Sequence, residues 1–165
     1  MKKISILLLA VIAVGIAAFF LVRRDSDEVR VKKVIDRLCV MGTKREGENP
    51  AAAALMINKT DEIFSSEVRI SGASGLFDGV KTPTGITADL ARYRAVFRRV
   101  TVRAQDPEIS FPEKDRAFVV FSGTLSGDTK TGSSVSEVRD VECTLLRIDG
   151  LWKIGALTVR EVLER

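Results

Sequence analysis

No histidine occurs anywhere in the 165 residues. That removes the commonest zinc ligand and the commonest general base. Cysteine occurs only twice, as Cys39 and Cys143, with no CxxC or other metal-binding spacing. Tyrosine and tryptophan occur once each, as Tyr93 and Trp152. Gly72, Gly75 and Gly79 do not compose a GxGxxG fingerprint, and neither a Walker motif nor a nucleophile elbow is present. Charge of one sign is also missing. The net charge is +4, of which Lys2 and Lys3 supply two, and no acid precedes Arg23. Past residue 22 the balance is therefore 24 basic residues against 22 acidic, interspersed as on an ordinary protein surface. These absences leave no metal or cofactor to expect, and the basic pI is no footprint of nucleic-acid binding.

What the chain does have is a long apolar run. Residues 4–22, ISILLLAVIAVGIAAFFLV, hold no charged or strongly polar side chain except Ser5. As a helix, such a run is long enough to cross a hydrocarbon core of about 30 Å. A cleaved signal peptide shares the basic start at Lys2 and Lys3, but it has a shorter core and a small-x-small exit. Here Phe19, Phe20, Leu21 and Val22 carry the apolar stretch past Gly15-Ile16-Ala17, which favours an uncleaved signal anchor over residues 1–24, followed by one domain over 25–165. Orientation is contested. Arg23, Arg24, Arg30, Lys32, Lys33 and Arg37 follow the run, and a simple positive-inside count keeps the domain in the cytoplasm. The extreme N-terminal position and the length of the following domain favour the opposite: a single-pass protein of the cytoplasmic membrane with a periplasmic, extracytoplasmic domain.

Beyond the run, the spacing predicts helices first and strands later. Val31, Val34, Ile35, Leu38 and Met41 form one helical stripe that Ser26 or Asp27 caps and Gly42 closes. Asn49-Pro50 starts a second helix reaching about Ser66, which would place the Asn58-Lys59-Thr60 glycosylation sequon in mid-helix, as a chance match. A short strand or hairpin over 67–80 and a turn at Pro83-Thr84-Gly85 follow. Thr87 caps a third helix with Leu90, Tyr93, Phe97 and Val100 on its inner stripe. From Thr101 the pattern is β, with a polar loop over 126–134 and a final hairpin turning on Asp149-Gly150, since a two-residue turn needs φ > 0 at both positions. That turn pairs Ile148 with Leu151, Arg147 with Trp152, Leu145 with Ile154 and Cys143 with Ala156. Val141, Cys143, Leu145, Trp152, Ile154 and Ala156 then share a core face. In an oxidising compartment Cys39 and Cys143 could bridge, which for a loop near 100 residues contributes about 4.7 kcal/mol in the chain-entropy model. The other reading is two small buried hydrophobes.

Three helices and then a long antiparallel sheet ending in RDVECTLLRIDGLWKIGALTV, with Asp149, Gly150, Trp152 and Ile154 at its turn, resemble the nuclear transport factor 2-like (SnoaL-like) superfamily across essentially the whole domain. The resemblance implies an α+β fold in which three N-terminal helices pack on a curved antiparallel sheet to form a cone, here preceded by one transmembrane helix. It also implies isomerases, dehydratases, cyclases, ligand binders, transport adaptors and bitopic scaffold subunits alike, so the fold constrains function little.

Enzymes of this type place Asp, Tyr, His or an Asp-Arg pair inside the cone, and this chain departs from that pattern. By strand parity Glu137 and Arg139 face inward and, with Tyr93, offer an acid, a cation and a hydroxyl. The alternative is a solvated ion pair beside an ordinary core tyrosine. Arg92, Arg94, Arg98, Arg99 and Arg103 form the densest basic cluster, either a patch for an acidic partner or anionic lipid or a solvated helix face. Leu146, Ile148, Leu151 and Leu157 lie on the hairpin's other face and motivate a homodimer or an envelope protein partner. The expectation is a membrane-tethered, non-catalytic binding or assembly module for a small apolar ligand or a protein. A membrane-anchored isomerase or dehydratase with a carboxylate acid/base in the cone is the alternative.

Overall fold

The computed structural model describes residues 27–72 and 78–161. The apolar run 4–22, the boundary at Arg24 and Gly75 lie outside the described residues. Among the described residues no helix is long and apolar enough to cross a membrane. The chain divides into two compact units, Met1–Arg30 and Val31–Arg165. In the first, the described residues 27–30 are helical, and Arg30 lies 3.8 Å from Asp27.

The second unit opens with α1 (31–42), whose stripe buries Val31, Val34, Ile35 and Met41 as the spacing predicts. In α2 (Pro50–Ile57), the Asn49 side chain accepts from the amides of Ala51 and Ala52, with Pro50 at the first helical position. The expected long second helix is then broken. α2 stops at Ile57, and a turn at Asn58-Lys59 leads to the single-turn α3 (Thr60–Ile63). Asn58 of the sequon is therefore exposed in a turn, not held in mid-helix. Phe64 and Ser65, expected in that helix, begin β1 (Phe64–Ser71), which pairs with the short β2 (Gly79–Lys81).

α4 (Pro83–Val96) starts earlier than expected. Thr82, not Thr87, caps it by accepting from the Gly85 amide, and Pro83 takes the first helical position, so Pro83-Thr84-Gly85 is helix rather than turn. Thr87 instead donates to the carbonyls of Ile57 and Pro83 and meets the Thr60 hydroxyl at 2.8 Å, tying α3 to α4. α4 also ends early. Phe97 and Val100, spaced as if to continue its inner stripe, are buried on β3 (Phe97–Glu113).

β3, β4 (Arg116–Thr129), β5 (Ser134–Ile148) and β6 (Leu151–Glu161) form an antiparallel meander in a sheet ordered β2-β1-β6-β5-β4-β3. The expected loop over 126–134 is mostly strand, because Gly127 lets β3 approach: a Cβ there would sit 2.5 Å from the Arg99 carbonyl oxygen. The sheet is mixed rather than wholly antiparallel, since β6 returns parallel to β1. The curved sheet and its helices enclose a core that includes Ile63, Val68, Leu90, Val119, Cys143, Leu145, Trp152 and Ile154.

The final hairpin turns as predicted, with Asp149 at φ 51° and Gly150 at φ 79°, and Ile148, Arg147 and Leu145 meet Leu151, Trp152 and Ile154. One step further the register shifts. Thr144 pairs with Ala156 and Cys143 with Leu157, leaving Gly155 as an extra residue. This bulge exchanges two assignments. Ala156 leaves the core face, and Leu157, expected on the outer face, packs against the core. Leu157 is therefore removed from the candidate partner surface.

Candidate functional site

The inward positions of β4 and β5 form one ordered row of partners. Ala117 faces Leu145, Val119 faces Cys143, Phe121 faces Val141, Gly123 faces Arg139 and Leu125 faces Glu137. The strand period of two carries each pair onto the same side of the sheet. The row is fully apolar at the Leu145 end and becomes charged toward the start of β5. There Arg139 and Glu137 pair with each other at 3.3 Å, with their side chains 39% and 48% exposed. Arg139 also donates to the carbonyl of Val138, 3.3 Å away.

Tyr93 reaches this end from α4 and stacks on Phe97, with ring centroids 5.1 Å apart. Burial pushes its hydroxyl up to about 12; the nearby Arg94 opposes the rise and the Glu137 carboxylate adds to it. The fold thus pairs the expected acid with the expected cation and brings that acid within electrostatic reach of the hydroxyl. Their chemistry is less suited to proton transfer than their placement. A working general base is a desolvated carboxylate free to take a proton; Glu137 is solvated and engaged by a guanidinium, and Tyr93 stays protonated at neutral pH.

The arginines do not form one patch. The sequence spacing assumed a helix through Arg99, but α4 ends at Val96, so Arg98, Arg99 and Arg103 stand on β3. Arg92 pairs with the buried Asp89 at 2.8 Å, and Lys81 meets the same carboxylate at 2.8 Å. Arg99 and Arg98 lie 2.6 and 3.5 Å from Asp128, whose carboxyl is held below its usual range by the Ser134 hydroxyl and by Arg99. Arg94 is not a surface residue at all. It is buried, donates to the carbonyls of Met41 and Thr43, and pairs with Glu48. Beside it Lys44 donates to the carbonyls of Arg94 and Phe97 at 2.9 and 2.6 Å, closing the C-terminal end of α4. These two cations fasten the α1–α2 connection to α4. The structural role was missed in the sequence because a buried arginine amid an arginine-rich stretch carries no spacing signal of its own.

On the outer face Leu146 and Ile148 are half-buried and Leu151 is 60% exposed. β4 adds Phe118 and Val120 to the same face, opposite Thr144 and Glu142. The sequence signal for these two was the apolar character of both faces over 117–125. At the hairpin tip Arg147 lies over the inward Trp152 ring at 5.7 Å, and Phe111 packs on that ring at 5.7 Å.

Cys39 on α1 is half-buried, Cys143 is buried, and both are free thiols. Burial raises both, Cys143 up to about 12, with the Cys39 sulfur adding to the rise, so neither is a ready nucleophile. Among the described residues no group of three or more Cys, Asp or Glu side chains could hold a metal ion.

Solved structures share this fold. The hexachlorocyclohexane dehydrochlorinase LinA-type3 from Novosphingobium barchaimii superposes with a TM-score of 0.64 at 12% identity, over 86% of this chain and 97% of that one. A nuclear transport factor 2-like superfamily protein from Salmonella enterica gives 0.61 at 12% identity, over 84% and 91%. A scytalone dehydratase-like protein from Novosphingobium aromaticivorans gives 0.57 at 16% identity, over 87% and 86%. The domain therefore has the nuclear transport factor 2-like, SnoaL-like α+β fold. No family model matches the chain. In sequence, 105 residues are 28% identical to mitochondrial Rho GTPase 1 of Arabidopsis thaliana, covering 62% of this chain and 16% of that protein's length.

Proposed function

We propose that this chain is a membrane-tethered, non-catalytic binding or assembly module. In this reading residues 4–22 anchor it in a cytoplasmic membrane and the domain stands on the extracytoplasmic side. The observation that carries the non-catalytic half is the inner row of β4 and β5: apolar along its length and ending in an exposed Glu137–Arg139 pair whose charges satisfy each other. Ala117, Val119, Cys143 and Leu145 of that row fill the core, so in this reading a small apolar ligand enters at the Glu137–Arg139 end. The outer face suits a second copy or an envelope protein, through Leu146, Ile148 and Leu151 together with Phe118. Topology is tested with a periplasm-active reporter enzyme fused after Arg165 and a blot for N-terminal cleavage. An active reporter on an uncleaved chain supports the tether and its orientation. An inactive one turns the domain to the cytoplasm.

The second reading is a membrane-anchored isomerase or dehydratase. Its support is the fold shared with a dehydrochlorinase and a scytalone dehydratase-like protein, and the placement of Tyr93 near Glu137. It requires Glu137 to exchange Arg139 for a substrate proton. Turnover of a cyclic substrate carrying an acidic C–H, abolished by Glu137→Gln, would establish it. Unchanged turnover in that variant would remove Glu137 from the chemistry.

A further inference from the structure

α2 does not look like the rest of this surface. Its eight residues, PAAAALMI, carry no charge, yet only Ile57 is buried. Ala51, Ala52 and Ala54 are exposed, and Leu55 is 69% exposed. A helix that is apolar all round normally lies inside a core or against a membrane. Three grooves flank it, one toward α4 and two toward α1. The first toward α1, of about 360 Å³, is lined by Val40, Met41, Met56 and Ile63. The second, of about 330 Å³, shares Val40 and Met56, and Val40 itself is 56% exposed. The helix is held firmly at both ends, by Glu48 on Arg94 and by Thr60 on Thr87 and the Pro83 carbonyl. Its apolar face is thus presented rigidly to solvent.

The charges around that face have one prevailing sign. Lys33, Arg37 and Lys59 rim the first groove and Arg45 the second. The acids among them are already engaged: Glu62 lies 3.7 Å from both Arg37 and Lys59, Asp36 is 3.6 Å from Lys32, and Glu48 is held by Arg94. An apolar face with a cationic rim complements one kind of surface above others, an apolar layer edged with anions. We propose that α2 and Val40 form a membrane-contact face that rests on anionic lipid, with Leu55 and Met56 at the boundary between headgroups and acyl chains and Lys33, Arg37, Arg45 and Lys59 on the phosphates. Proximity is favourable where the tethered reading holds. The apolar run ends at Val22, eleven residues before Lys33, which limits their separation to about 40 Å.

The test uses the full chain with vesicles of phosphatidylcholine alone or mixed with phosphatidylglycerol. Flotation is scored first. Tryptophan emission of the Leu55→Trp chain is then compared with that of the unsubstituted chain, whose Trp152 lies in the core, in vesicles with brominated acyl chains. Flotation with both lipids, with most of the added emission lost in anionic vesicles, supports the face and the tether together. Flotation with both and no added quenching overturns the face and leaves the tether standing. Flotation with anionic vesicles only overturns the tether; the face is then supported if Leu55→Glu abolishes flotation and overturned if it does not. Flotation with neither overturns both. Self-association that Leu55→Glu abolishes, without quenching, assigns the face to a second copy and overturns the lipid assignment.

Discussion

Replacing Arg94 should cost this fold more than replacing any other arginine of the 92–103 stretch. Its guanidinium is buried and has three partners: the carbonyls of Met41 and Thr43 and the carboxylate of Glu48. Removing one member of a buried ion pair typically costs about 3–5 kcal/mol, because the other charge is left uncompensated. Glu48 is 19% exposed, so water recovers part of that cost. The two carbonyls each lose a charged donor, at about 1–3 kcal/mol where water cannot replace it. These contributions overlap, and a net loss of about 3 kcal/mol for Arg94→Leu is the expected result. Glu48→Gln keeps an acceptor for the guanidinium and should cost about 1 kcal/mol, and the double variant should cost less than the two singles together, since they share one interaction. The assay is urea unfolding of the full chain in detergent, followed by Trp152 emission, because that ring lies in the core and is the chain's single tryptophan. By contrast, Arg103→Ala, at an exposed position, should stay within about 0.5 kcal/mol, and Arg92→Ala should cost about 1 kcal/mol, because Lys81 still pairs with the buried Asp89 that Arg92 leaves. A loss for Arg94→Leu as small as theirs would refute the clamp and return Arg94 to the surface cluster.

Alkaline pH should unfold the domain. Tyr93 and Cys143 both hold their protons more tightly when folded, up to about 12. Stability is therefore untouched below about pH 8 and falls as pH rises from the unfolded values, about 8.5 for the thiol and about 10 for the phenol, toward 12, by about 3 kcal/mol from Tyr93 alone. The single tyrosine should ionise in one steep step together with loss of fold, and smooth ionisation near pH 10 with the fold intact would contradict its burial. Leu151→Glu combined with Phe118→Glu should leave stability nearly unchanged but shift the chain to a smaller species in sedimentation, and an unchanged species would exclude the outer face as a self-association surface. Gly127→Ala should cost about 2–3 kcal/mol, because its Cβ would meet the backbone of Arg99 and Val100 at 2.5 and 2.8 Å. Gly132→Ala, with nothing within 4 Å but φ at 91°, should cost only about 1 kcal/mol; equal losses in urea unfolding would dissociate the Gly127 effect from close backbone approach.

The order of helices and strands was legible because α1 and the β5–β6 hairpin carry strong local signals. Val31, Val34, Ile35 and Met41 fall at helical spacing, and Asp149-Gly150 dictates a two-residue turn. The misplacements come where a local signal meets a tertiary one. Phe97 lies four residues past Tyr93, as a helix requires, but its neighbours complete the edge of a sheet, and pairing with Thr129 prevails over helical spacing. Gly127 resembled a loop residue, although its missing side chain is what lets two strands approach. Ser65 looked helical from the preceding alanines, but its hydroxyl is buried and donates to the carbonyls of Glu67 and Ile154, at the point where β1 joins β6.

The site shows the same limit more sharply at Gly155. Parity counted from the turn gives every inward residue of β6 correctly up to Ile154, and one extra residue then inverts the rest. A hydrophobic pattern alone could not reveal this, because Ala156 and Leu157 are both apolar and either can face the core. The consequence is functional. With Leu157 inside, the outer surface depends on Leu146, Ile148 and Leu151 of the hairpin and on Phe118 and Val120 of β4, so its centre moves away from β1 and toward β4 and β5. Deleting Gly155 would test this arrangement directly. With the extra residue gone, Ala156 follows Ile154 directly and regular pairing keeps it opposite Thr144, with Leu157 still inward opposite Cys143, so the exchange of a packed leucine for a smaller side chain, which would cost about 2–5 kcal/mol, should not occur. A deletion variant that loses that much stability or changes its sedimentation behaviour would mean that the bulge, and with it the assignment of the outer face, is not what orders this hairpin.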